Sequence, residues 1–177
     1  CLLLPPEGID RDWELLKGVP RAAGFTPDAI LRMSDLHKRE IGLPDNVMNQ
    51  AALVVVHERL RRFLEQKALM NIEYLPVTII NHKRRVASRE YVIVHAVEPQ
   101  DCLDLSKSGA TFSGIIPADV SHVDDLVIDP GRIDRALRMF RIKRFGYPMI
   151  VERTLSQEIL QAGFTGVMFV ELSEYGK

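Results

Sequence analysis

Cysteine is scarce: the 177-residue chain has two, Cys1 and Cys102. Two thiols build no disulfide framework, so a packed core must hold the fold, and a reducing cytoplasm is the expected compartment. Long apolar runs are missing too. The longest, Ala51 to Val56, falls far short of the ~18 residues that a membrane-spanning helix needs. Neither sign of charge dominates, with Lys+Arg 23 against Asp+Glu 24. The whole-molecule field therefore neither favours nor excludes nucleic acid, which only a local patch could attract; a nucleic-acid- or acidic-ligand-binding module is the alternative to the expected protein partner.

Catalytic and metal-binding motifs are equally thin. None of the five histidines, His37, His57, His82, His95 and His122, has a second His or Cys at ligand spacing. His57-Glu58 opens like a zincin helix, but Arg61 stands where the second histidine belongs. Neither a metal nor a cofactor is expected. Ser113 lacks the glycine spacing of a nucleophile elbow. Gly163 to Gly166 leads from helix to strand, the wrong order for a phosphate loop. Cys102, flanked by Asp101 and Asp104 with His95 one strand earlier, offers a thiol–imidazole pair for an enzyme. A buried, inert cysteine is the commoner outcome for such a residue.

What is present is a pattern used twice. Ala51 to Pro76 reads as strand, helix, strand, and Pro148 to Leu172 repeats it at one fixed offset. That offset sets Val55 on Ile150, Leu60 on Leu155, Leu64 on Ile159, Ile72 on Val167 and Tyr74 on Phe169. The matches are apolar, as when a supersecondary unit is reused for its buried face. The predicted strands are Ala51 to Val56, Asn71 to Ile80, Tyr91 to Val97, Leu126 to Ile128, a half-polar one through Phe140, Ile142 and Phe145, Met149 to Val151, and Val167 to Leu172. Helices are predicted from His57 or Glu58 onward and over Thr154 to Gln161, the second ended by Gly163. A third is predicted over Pro27 to Lys38, with Thr26 as N-cap.

Prolines and glycines punctuate residues 1–44, so an irregular arm is expected there, with Trp13, Leu15, Leu16 and Phe25 packed onto a core of residues 45–172. The fold class that follows is α+β: one domain over residues 1–177, with a mixed or antiparallel sheet and two related strand-helix-strand units.

The strongest charge feature is Arg132, Arg135, Arg138, Arg141, Lys143 and Arg144, interleaved with Phe140, Phe145 and Tyr147. Arginine and tyrosine are preferred interface anchors, so Arg138, Arg141, Lys143, Arg144 and Tyr147 form the expected partner-binding face. The basic hairpin tip with Arg84 and Arg85 is the second choice.

Three stretches carry a family resemblance: Leu53 to Val77, Val97 to Ser108 and Phe140 to Leu172. Within them, His57-Glu58-Arg59 opens a helix after a strand, Cys102 to Ser106 forms an aspartate-leucine turn, and Phe140-Arg141, Ala162-Gly163 and Gly166 to Phe169 close the chain. Together they resemble the eleventh immunity-protein family of bacterial polymorphic toxin systems, formerly a domain of unknown function. His57 departs from the serine that commonly caps the family's helix. The resemblance implies a non-catalytic cytoplasmic protein that binds and neutralises a cognate toxin encoded nearby. It assigns no catalytic residue, points away from the membrane and leaves a homodimer open.

Overall fold

The computed structural model describes residues 1–176. Its centre is a ring of six strands. In chain order they are β1 (Leu2–Leu3), β2 (Ile30–Arg32), β3 (Asn46–Asn49), β4 (Val54–His57), β5 (Ile72–Ile80) and β6 (Val86–Ala96). Their spatial order is β1-β3-β4-β6-β5-β2, antiparallel in the middle, with β1 parallel to β3 and β2 parallel to β5. The two ends meet: Leu3 bridges Met33, Leu4 N–H donates to Arg32 O at 2.8 Å, and Ser34 N–H donates to Leu2 O at 2.8 Å. A mixed sheet thus closes on itself and leaves few free edges.

Period-two alternation sorts the strand side chains. Val55, Leu75, Val77, Ile79, Tyr91 and Ile93 point inward with Leu3, Leu31 and Val47 to fill the ring. Val56, Val92 and Val94 point outward and are covered by α1 (Glu58–Glu65) and α2 (Arg153–Gln161) through Leu60, Leu64, Leu155 and Ile159. The imidazole of His57 replaces the family's serine as a cap, its Nδ1 accepting from Arg59 N–H at 3.1 Å. Arg61 and Arg62 hold the Glu58 carboxyl down to about 2, so the first turn stays anionic.

A third apolar cluster, with Cys102, Leu103, Val120, Leu126, Phe140, Ile142 and Phe145, lies beside the ring. It is built by the hairpins β7 (Thr111–Phe112) with β8 (Val120–His122) and β9 (Met139–Ile142) with β10 (Phe145–Val151). Asn71 fastens this annex to the ring, donating from Nδ2 to Met139 O at 3.1 Å.

Several expectations change. The helix over Pro27 to Lys38 is instead β2 followed by a 3₁₀ turn, Asp35–His37. Pairing with β5 overrides the local N-terminal signal, since Ile30 and Arg32 gain ladder partners in Thr78 and Ile80. The first 44 residues therefore supply two strands of the ring. Phe140 to Phe145 is two strands joined by a tight turn at Lys143-Arg144, not one. Leu126 to Ile128 is reduced to a single bridge, Leu103 to Ile128. The second strand-helix-strand unit keeps β10 and α2, with Leu155 and Ile159 buried as Leu60 and Leu64 are. Its last member, Val167 to Leu172, pairs with no strand. Val167 and Phe169 still pack on the helix layer where Ile72 and Tyr74 do.

Candidate partner-binding surface

The basic strand divides sharply once its partners are traced. Arg138 is engaged by two acids, Glu152 at 2.5 Å and Glu158 at 3.0 Å, and Glu158 also holds Lys67 at 2.5 Å. Arg141 is 1% exposed. Its guanidinium donates to three backbone carbonyls, Gly146 O, Tyr147 O at 3.0 Å and Ala52 O at 3.1 Å. The reason lies in the ladder: register slips between Phe145 and Met149, so Gly146 and Tyr147 bulge away from β9, and the arginine supplies the missing donors. Burial lowers this group to about 10, still charged at neutral pH. Arg138 and Arg141 therefore join parts of the fold and present little to a partner.

Lys143 and Arg144 are exposed at the β9–β10 turn, with Arg144 in the left-handed region at φ 68. Tyr147 is half-exposed, its ring edge-on to Phe145 at 5.8 Å. This turn has neighbours that the sequence did not announce. A Cβ on Gly146 would collide with Leu16 O, so β10 lies directly against the 3₁₀ turn Asp12–Leu15 that precedes Leu16. On that turn Trp13 is 52% exposed, with Lys17 Nζ 5.3 Å and the Arg11 guanidinium 5.7 Å from its ring centre. Lys17 also reaches Asp119 at 2.9 Å, and Asp119 N–H donates to Ile116 O at 2.8 Å. Val120 N–H donates to Arg144 O at 2.8 Å. The β7–β8 hairpin, with Phe112 and Ile116 partly exposed and Ile115 92% exposed, is thereby fixed beside Trp13 and the Lys143-Arg144 turn.

One pole of the molecule thus gathers exposed aromatic and branched side chains with Lys143 and Arg144, which form no ion pair with a described residue. Trp13 was expected to pack with the N-terminal arm onto the core, and it is half-exposed instead. The available signal was the adjacent pair Ile115-Ile116 between Gly114 and Pro117, two apolar residues in a stretch too short and too turn-rich to bury them. Arg84 and Arg85 lie elsewhere, at the exposed β5–β6 tip.

The catalytic alternative finds little support in the geometry. His95 faces the ring interior, where its Nε2–H donates to Val19 O at 2.8 Å, and burial pushes its pKa down. Cys102 is fully buried in the annex, where burial pushes its thiol up. The two lie in different parts of the fold and make no hydrogen bond. Among the described residues no three His, Cys, Asp or Glu side chains are grouped to hold a metal ion.

A family model described as an immunity protein family, Imm11, matches residues 10–174. The chain belongs to the Imm11 family. The match takes in the ring from β2 onward and the annex, so the Imm11 unit includes Trp13 and the β7–β8 hairpin as well as the helices. No curated protein matches the chain. Among the described residues of this Imm11 protein no helix is long and apolar enough to cross a membrane.

Proposed function

We propose that this chain acts by occlusion: it binds a cognate bacterial toxin, encoded nearby, in the cytoplasm of the producing cell and neutralises it without catalysis. Membership of an immunity protein family carries the proposal. The Trp13 pole supports it physically. Interface hot spots favour tryptophan, tyrosine and arginine around an apolar centre, and this pole combines Trp13, Tyr147, Ile115 and Ile116 with Lys143 and Arg144. The apolar anchors would slow dissociation and the two cations would speed encounter with an acidic face. A stable interface of about 800 Å² per partner is under a tenth of the 10194 Å² surface.

Calorimetric titration of the purified chain with the product of the adjacent toxin gene tests the role. A saturable complex is expected, and its absence at micromolar concentrations refutes the role. Trp13→Ala and Ile115→Ser test the face. A weakening of about thirtyfold is expected for a hot spot losing ~2 kcal/mol, and unchanged affinity for both variants places the face elsewhere.

A further inference from the structure

The β5–β6 tip carries a run of three consecutive exposed cations. Many surface arginines meet acids: Arg21 with Glu14, Arg32 with Glu7, Arg59 with Asp45, Arg61 with Glu58, Arg153 with Glu171. At the tip Lys83, Arg84 and Arg85 follow one another, all exposed, and none forms an ion pair with a described residue. The turn holds them in place. Asn81 Oδ1 accepts from Lys83 N–H at 2.9 Å and Arg85 N–H at 3.1 Å, Asn81 N–H donates to Arg85 O, and Arg84 adopts φ 57. The turn backbone thus presents three consecutive like charges with no described acid paired to them, a local positive potential that attracts anions.

Beside the tip, past the last β2–β5 pair, the chain diverges and leaves a groove. Leu4, Arg32, Met33 and Asp35 line one side, and His82 and Arg84 the other. Arg32 is committed to Glu7, so Arg84 is the lining guanidinium without an acid, and Asp35 lies 4.0 Å from Lys38. Leu36, 83% exposed, and Val86, partly exposed, adjoin the groove and the tip. Among the described residues no exposed Phe, Tyr or Trp adjoins the groove: Trp13, Phe112 and Tyr147 are at the other end of the molecule, and His82 supplies a single, partly buried ring. Single-stranded nucleic acid is held by stacking as well as charge, so the chemistry favours a peptide.

We infer that the open end of the strand ring is a second docking site, for an acidic peptide segment of a partner protein that places carboxylates on Lys83, Arg84 and Arg85 and an apolar side chain against Leu36. It is separate from the Trp13 pole, which lies beyond Glu73 at the start of β5, a strand of nine residues, or about 30 Å at strand rise.

The test is fluorescence anisotropy with the full chain and a short labelled peptide alternating Glu with Leu. The same peptide with Gln for Glu, single-stranded DNA and duplex DNA serve as comparison ligands. Saturable binding of the Glu peptide is expected at low ionic strength, together with loss of at least about tenfold in affinity for the Arg84→Glu, Arg85→Glu double variant. The Lys143→Glu, Arg144→Glu double variant, with the same change in net charge at the other pole, is expected to bind within about twofold of the parent. Thermal unfolding of both variants verifies their folding. No saturable binding, equal losses in the two variants, equal affinity for the Gln peptide, or tighter binding of either DNA overturns the inference. None of these readouts involves the toxin, so failure of the Trp13-pole proposal leaves this result standing, and the reverse.

Discussion

Replacing Arg141 with methionine removes a buried cation and leaves its three carbonyl partners, Gly146 O, Tyr147 O and Ala52 O, facing an apolar side chain of similar length. Pro148 follows the bulge and carries no N–H, so the local backbone has little else to offer these acceptors. Leaving a buried acceptor unsatisfied costs about 1–3 kcal/mol, so three together cost roughly 3–9 kcal/mol. Removing the desolvated charge returns several kcal/mol of that. The net expectation is a destabilisation of about 2–5 kcal/mol, the returned desolvation offsetting part of the three lost bonds. For a domain whose total stability is of order 5–15 kcal/mol, that is a large fraction, and it corresponds to a fall in Tm of roughly 10 °C. Urea titration followed by far-ultraviolet circular dichroism reads it as a lower midpoint at unchanged slope. Arg141→Lys should lie between parent and methionine variant, because one ammonium cannot span from the bulge to Ala52 as the guanidinium fork does. A loss below about 1 kcal/mol for Arg141→Met would refute the assignment of this residue to the fold. By the same argument, reversing its charge tests folding and not toxin recognition.

His95 is buried with its pKa lowered by desolvation, so below about 6.5 the unfolded chain takes up a proton more readily than the folded one. Its contribution is full above that pH and is lost as pH falls through the lowered folded value. The melting temperature of the parent should therefore drop more between pH 7 and 5 than that of His95→Gln, which keeps a donor for Val19 O and does not titrate. Leu155→Ala, at a fully buried position between α2 and the ring, should cost about 2–5 kcal/mol in urea titration. Trp13→Ala should change stability by less than about 1 kcal/mol, because the ring is half-exposed, so a large loss of toxin affinity would report on recognition alone. A thiol reagent should label neither cysteine readily in the native protein, because the Cys1 side chain is 1% exposed and Cys102 is fully buried, and should reach both on unfolding.

The long elements were legible because their periodicity is long. The nine residues of β5, the eleven of β6 and the stripes of α1 and α2 each repeat their pattern several times. Strands β1, β2, β7 and β8 have two or three residues each and offer no period to read. Their existence depends on partners far along the chain, as β2 depends on β5. The ring was invisible for the same reason, since closure rests on the contact of Leu3 with Met33. At the candidate site, charge was readable and pairing was not. Arg141 looked like a solvent-facing residue between Phe140 and Ile142, but β9 is covered on both faces. The cations at positions 143 and 144 and at the β5–β6 tip kept their exposure because a turn projects them beyond any covering layer.

The two-residue strand β1 works as a clasp. Cutting the chain after Leu4 would unfasten β3 from β2 at once, expose unpaired backbone on both, and empty the inward position of Leu3. A monomer trimmed in this way would acquire two sticky borders able to recruit a neighbouring copy's strand. An affinity tag therefore belongs at the far terminus, where the last 3₁₀ turn, Leu172–Glu174, takes no part in holding the barrel shut.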